Sequence, residues 1–185
     1  IIPTLEYLKN QEVVVTLKID GEQTTMYHDY IHARSIDSNN HPSRNWVKNF
    51  WSQISGDIPE GYRVCGENLF AAHSIHYTDL PSYFMGFSVW DDKNICLSWD
   101  QSLEWFQLLG ITPVTEIYRG PFDEKLIQKI WSNFDETTNE GYVCRTTNSF
   151  SYGNFQYMVA KYVRKNHVRS VQHNWIRGEI VPNEL

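Results

Sequence analysis

Residues 12–19 read EVVVTLKI, and the three successive valines commit this stretch to a β-strand, since branched side chains pack well on a pleated surface and lose freedom in a helix. The run ends on a charged amine, Lys18, and Asp20-Gly21 follows as a turn signal leading into a second alternating stretch, QTTMYHD. Two readings of that lysine stand open. It is a solvated strand-end residue, or it is a nucleophile on a rigid mount. An ordinary lysine amine, with a pKa of about 10.4, is protonated at neutral pH, so nucleophilic use requires burial, neighbouring cations or a metal.

The remaining pattern alternates strands with a few helices. YIHARS reads as a third strand, after which HPSRNWVKNFWSQI changes period, with Trp46, Val47, Phe50, Trp51 and Ile54 at helical spacing behind Pro42-Ser43. YRVCGENLF, SYFMGFSVWD and NICLSW are strand-like, with Asp92-Lys93-Asn94 as a hairpin turn. Asp100 is the expected cap of a helix over QSLEWFQLLG, closed by Gly110. PVTEIYRG reads as a strand, FDEKLIQKIWSNF as a helix, and EGYVCRTT and FQYMVAKYVR as strands. The class is α+β with mainly antiparallel sheets flanked by helices. At 185 residues, one domain over 1–185 is expected.

A net charge of −6 argues against a protein that coats nucleic acid through a wholly basic face. It leaves room for a local basic groove. Lys161, Arg164, Lys165, Arg169 and Arg177 fall in one stretch without Asp or Glu, and a solvated charged face is the competing explanation. Cys65, Cys96 and Cys144 are odd in number and far apart, which indicates neither a disulfide framework nor a zinc-thiolate site and fits a reducing, intracellular, cytoplasmic setting. No apolar run has the length of a membrane span, so no membrane partner is expected.

Isolated charges recur at strand positions: Lys18 before Asp-Gly, Glu67 in CGENLF, Glu140 in EGYV, and Lys161 in VAKYVRK. Carboxylates flanked by apolar neighbours are costly to bury unless a cation or hydrogen-bond donors meet them. Such a set describes a polar site lined by sheets.

In their order and wording these residues resemble a known family. Lys18-Ile19-Asp20-Gly21 is similar to the KxDG motif of polynucleotide ligases and mRNA capping enzymes. HARS (Arg34, Ser35), GENLF (Glu67), YFMGFSVWDD, EGYV (Glu140) and VAKYVRKN (Lys161) follow in the family's order. The wording of IHARSID, HPSR, ENLFAAHSIHY and LSWDQSLEW is most similar to ATP-dependent RNA ligases of the bacteriophage type. The resemblance implies the covalent nucleotidyltransferase fold. Lys18 would attack the α-phosphate of ATP and hold AMP as a phosphoramide; Arg34 would contact the sugar-phosphate part, Glu67 a ribose hydroxyl, and Phe87 or Trp90 would stack on adenine. Leu17 and Gln23 would flank the nucleotide. Glu140, with Asp20, would hold Mg²⁺ or Mn²⁺, and Lys161, with Arg164 or Lys165 close behind, would bind the α-phosphate. The implied partner is RNA with 5′-phosphate and 3′-hydroxyl ends, met by Arg44, Arg164 and Arg169, and a monomer is expected.

The chain departs from the family pattern in two places. Val163 stands where a second lysine often follows Lys161, and Gln23 replaces a common asparagine. Any C-terminal domain is expected to be absent or to lie outside these residues. A DNA ligase, a capping-type nucleotidyltransferase and a non-catalytic nucleotide- or nucleic-acid-binding module are the competing functions. His73 and His76 have the spacing of a metal pair without a supporting third ligand, and Trp99, Trp105 and Trp131 read as core.

Overall fold

The computed structural model describes residues 3–34, 41–165 and 180–185. In chain order the elements are α1 (Pro3–Leu8), β1 (Glu12–Lys18), β2 (Glu22–Met26), β3 (Ile31–Ala33), α2 (Asn45–Ile54), β4 (Arg63–Asn68), β5 (Phe84–Trp90), β6 (Ile95–Cys96), α3 (Trp99–Leu109), β7 (Thr112–Pro113), β8 (Glu116–Pro121), α4 (Glu124–Trp131), β9 (Gly141–Thr146), β10 (Phe150–Ser151), α5 (Phe155–Met158) and β11 (Val159–Val163). They build two sheets. The first has the order β11-β9-β1-β8, and the second runs β10-β6-β5-β4-β2-β3 with β7 added parallel to β5.

The branched run of β1 is apolar throughout because both of its faces are covered. Val13 and Val15 pack with Leu8 of α1 and Ile127 of α4, whereas Val14 joins the main core with Phe84, Met85, Trp99 and Phe106. Each such side chain contributes roughly 1.5–3 kcal/mol when fully buried. The stripe of α2 packs on the same core through Trp46, Val47, Phe50, Trp51 and Ile54.

Three local expectations change. The Asp-Gly turn does not close a hairpin: β1 lies in the first sheet and β2 in the second, so Ile19–Gly21 carries the chain from one to the other. The cap of α3 is Ser98, whose Oγ accepts from the Gln101 N–H while the Gln101 side chain accepts in return from the Ser98 N–H. A reciprocal box satisfies two end donors. That leaves Asp100 in the first turn, where it pairs with Arg119 at 2.7 Å. Finally, Phe155–Met158 is a helical turn and only Val159–Val163 is strand.

Residues 181–184 return to hold the loop between β4 and β5. Asn183, 1% exposed, donates from Nδ2 to the Leu69 carbonyl at 2.7 Å and accepts on Oδ1 from the Tyr77 N–H at 2.8 Å. Its own N–H donates to the Phe70 carbonyl at 2.8 Å. The loop is therefore fixed although it has no strand or helix of its own.

Gly141 sits opposite both Lys18 of β1 and Val163 of β11, and a Cβ there would overlap the Tyr162 carbonyl oxygen. Because backbone cannot yield as a flexible side chain can, Gly141→Ala is expected to destabilise the protein by about 2–4 kcal/mol. The midpoint of urea unfolding measures it, and an unchanged midpoint would show that β11 gives way freely.

Candidate active site

Residues of both sheets line one cavity of about 1310 Å³. Two-residue alternation sets what faces it. On the first sheet, Lys18 of β1 lies opposite Gly141, Thr16 opposite Val143, and Val143 opposite Lys161 of β11. Lys18 and Lys161 thus share a face two strands and two residues apart, roughly 12 Å between mounts from ordinary sheet spacings. Two long amines so placed would favour an anionic group between them. Lys18 Nζ is 3.0 Å from Glu140 Oε1, and the Glu140 side chain is 4% exposed. Glu140 directly precedes β9. Arg164 steadies it from β11's end, its N–H donating to the Glu140 carbonyl at 2.9 Å and its guanidinium to the Glu136 carbonyl at 2.5 Å.

Asp20, 6% exposed, fixes the crossing between sheets. Its Oδ2 accepts from the Ser74 N–H at 2.6 Å, the Ser74 hydroxyl and the Ile75 N–H at 3.2 Å, while its own N–H donates to the Tyr77 hydroxyl at 2.9 Å. Next to it the Gly21 N–H donates to Glu67 Oε1 at 3.1 Å. Glu67 borders the cavity, yet burial pushes its carboxyl up to about 8, against the pull of Lys18 and the Gly21 N–H. Lys18, Glu67 and Glu140 therefore meet at one end of the cavity.

On the second sheet a β-bulge aims the aromatic wall. Cys65 is opposite Ser88 and Gly66 opposite Gly86, so Phe87 is the extra residue. In a regular strand Phe87 and Trp90 would face opposite ways. The bulge brings both to the cavity. They differ in freedom: Trp90 is 4% exposed, lies under the Arg63 guanidinium at 4.6 Å and contacts Phe150, Tyr152 and Phe155, whereas Phe87 is half-buried.

The structure distributes the other expected residues unevenly. Leu17, Gln23 and Arg34 line the cavity, although alternation sets Leu17 on the face opposite Lys18. Arg44 lies outside the lining and is held by Glu22, with Nε to Oε1 at 2.8 Å and Nη2 to Oε2 at 2.6 Å. Of the cations near the end of β11, Lys161 lines the cavity, while Arg164 is turned to the 136–137 carbonyls and Lys165 is exposed outside it. Asp20, expected beside Glu140 at a metal, instead spends Oδ2 on the 74–75 loop. Arg169 and Ser35 lie outside the described residues. His73 is buried in the cavity wall while His76 is exposed and bonded to the Pro182 carbonyl at 3.0 Å, so the pair does not converge. Tyr77 and Arg145 are site residues the pattern did not single out, and Tyr77 is signalled only by the wording AAHSIHY; His73, read from the sequence as half of a metal pair, lies in the cavity wall instead.

Among the described residues no group of three or more His, Cys, Asp or Glu side chains gathers as a metal cage. The donor set still suits a hard cation. Mg²⁺-like ions are commonly held through one or two carboxylates plus waters and substrate phosphates, and Glu140 supplies a buried carboxylate beside the lysine.

The family profile for RNA ligase matches residues 11–163. No curated protein sequence matches the chain. Among solved structures, an RNA ligase from Naegleria gruberi with ATP and Mn is similar at TM-score 0.59 and 16% identity over 92% of this chain and 54% of that one. An archaeal ATP-dependent RNA ligase aligns at TM-score 0.62 and 16% identity, covering 87% and 44%, and a protein of Aquifex aeolicus named as an ATP-dependent DNA ligase at 0.59 and 20%, covering 88% and 46%. The chain spans about half the length of the solved structures it matches.

Glu67 keeps its proton in the folded chain up to about pH 8 and releases it near 4.5 when unfolded, so the folded state holds the extra proton between those values. Stability must then fall as pH rises through that window. Glu67→Gln keeps an acceptor for the Gly21 N–H and removes the titration. Its melting temperature should exceed the parent's at pH 8 and converge with it near pH 4.5. Parallel melting-versus-pH curves would refute the assignment.

Proposed function

The chain belongs to the RNA ligase family, and on that premise we propose that it adenylylates Lys18 from ATP, transfers the AMP to a 5′-phosphate end of RNA, and seals that end to a 3′-hydroxyl. The observation that carries this reading is the Lys18 amine itself, mounted at a strand end in the cavity, 3.0 Å from buried Glu140 and on one face with Lys161. A solvated strand-end lysine would not need a buried carboxylate beside it.

In the first step Lys18 Nζ attacks the α-phosphorus, an N–P bond forms, the bond to the β-phosphate oxygen breaks, and pyrophosphate leaves. Before attack the ammonium must give up a proton, and Glu140 Oε1 is within hydrogen-bond reach to receive it. Lys161 faces the equatorial oxygens, where positive charge counts most in phosphoryl-type transfer. Glu140 would hold a Mg²⁺ or Mn²⁺ ion, which would supply further neutralisation of phosphate charge. Phe87, re-aimed by the bulge, offers a ring for adenine between the sheets, and Glu67 lies beside Gly21 where a ribose hydroxyl would sit. Arg34, which lines the cavity and is exposed, would orient the 5′-phosphate. Sealing then joins the 3′-hydroxyl to that phosphate and releases AMP.

A monomer in an intracellular reducing compartment suits this role. Cys65, Cys96 and Cys144 are free and buried, and burial pushes the Cys96 thiol up to about 11. No helix among the described residues is long and apolar enough to cross a membrane.

Incubation with α-labelled ATP and Mg²⁺ or Mn²⁺ should give an acid-labile protein adduct that survives denaturation. Lys18→Ala should take no label, and Lys161→Ala should label slower by a factor on the order of 10²–10³. Chasing the adduct with 5′-phosphorylated RNA and, separately, DNA tells RNA joining from the DNA ligase alternative. GTP labelling in preference to ATP would favour the capping-type reading, and equal labelling of Lys18→Ala would end the enzymatic one.

A further inference from the structure

The cavity is larger than a nucleotide requires. Small-ligand pockets run to roughly 300–1,000 Å³, and this one is about 1310 Å³. Part of its wall is therefore available to something longer than ATP, and the hairpin of β2 and β3 contributes Thr25, Tyr27 and His32 to that wall. β3 is the terminal strand of its sheet. His32 lies opposite Thr25, and both line the cavity. Tyr30 and Arg34 flank His32 at two-residue intervals, so a ring, an imidazole and a guanidinium follow one another along one face, roughly 6.6 Å apart.

The ring at the outer end is already ordered. Tyr30 is stacked on Tyr27 with centroids 4.1 Å apart and planes 9° from parallel, and the His32 ring is 6.0 Å away. Tyr30 nevertheless remains 49% exposed and lies outside the cavity lining, whereas Tyr27, His32 and Arg34 are part of it. A single exposed aromatic means little. A held ring that continues a rim carrying the Arg34 guanidinium is a combination single-strand binders use, because every base has a face to stack and the ordering cost is met in advance. Exposed Asp29 at the hairpin tip would repel phosphates, so a strand would cross the face of β3 away from the turn.

We propose that this edge is a track for single-stranded RNA adjoining the end to be sealed, with Arg34 meeting the phosphate nearest the reaction and a neighbouring base stacking on Tyr30. The track deepens the ligase reading and rests on it for the identity of the strand. It adds no chemical step.

The test follows a short 5′-phosphorylated single-stranded RNA carrying a fluorophore, by anisotropy at fixed salt, and in parallel the label acquired from α-labelled ATP. Tyr30→Ala should label at the parent's rate and bind the RNA roughly 5- to 150-fold more weakly, the range for loss of one stacked base. Tyr30→Phe should bind like the parent. If Tyr30→Ala fails to fold, Tyr30→Leu, apolar but without a π-face, carries the same expectation. RNA binding unchanged in Tyr30→Ala or Tyr30→Leu overturns the track, as does an equal loss in Tyr30→Phe. A parent that takes no label overturns the ligase reading alone, since ring-dependent RNA binding would still support the track.

Discussion

Asp20 sits where β1 leaves one sheet and β2 joins the other, and its buried carboxylate gathers the Ser74 and Ile75 donors while the Tyr77 hydroxyl accepts from its own N–H. A buried carboxylate without donors would cost several kcal/mol, roughly, so the loop that brings those donors is part of the site. That loop is held in turn by Asn183, far along the chain. The direction of Lys18, two residues before Asp20, and the position of Glu67, held by the Gly21 N–H one residue after it, both follow from this anchor. Lys18 is aimed by a turn pinned from behind, and its own side chain contributes only the last few ångströms.

The two glutamates near that lysine occupy different electrical settings. Glu140 has the ammonium as a direct partner at 3.0 Å, whereas Glu67 has only a backbone donor and the more distant field of Lys18, and burial prevails. One carboxyl is thus engaged with the lysine while the other keeps its proton near neutral pH. Such a division lets adjacent acids serve separate purposes, one as an ion-pair partner and the other as a neutral hydrogen-bonding group. It also keeps the cavity from accumulating negative charge that would repel a phosphate, in a chain whose net charge is −6.

Legibility in the sequence follows the range of the interaction. The strand at EVVVTLKI, the stripe of α2, the Asp92–Asn94 turn and Gly110 at φ 71° were readable because each is set by neighbours within a few residues. The order of Lys18, Glu67, Glu140 and Lys161 was readable through family wording, and all four line one cavity. Partner choice was not. Arg44 pairs with Glu22, and Arg164 with the 136–137 carbonyls, through contacts that no local pattern encodes. The turn at Asp20-Gly21 was visible as a turn, but a turn signal does not say whether the next strand stays in the sheet. Ser98 and Asp100 were both chemically fit to cap α3, and the reciprocal bond to Gln101 decided between them.

Phe87 shows why a list of candidate residues leaves the geometry of a site undetermined. Phe87 and Trp90 are three positions apart, an odd interval that a regular strand would split between its faces. One extra residue at the bulge shifts the alternation so that Phe87, Ser88 and Trp90 all line the cavity, and Gly66 across the ladder has no Cβ to strike Phe84. Trp90 packs among Phe150, Tyr152 and Phe155 and is buried, whereas Phe87 is half-buried at the cavity wall. Backbone register sets which aromatics reach the cavity, and the glycine across the ladder lets the strands approach closely enough to set it.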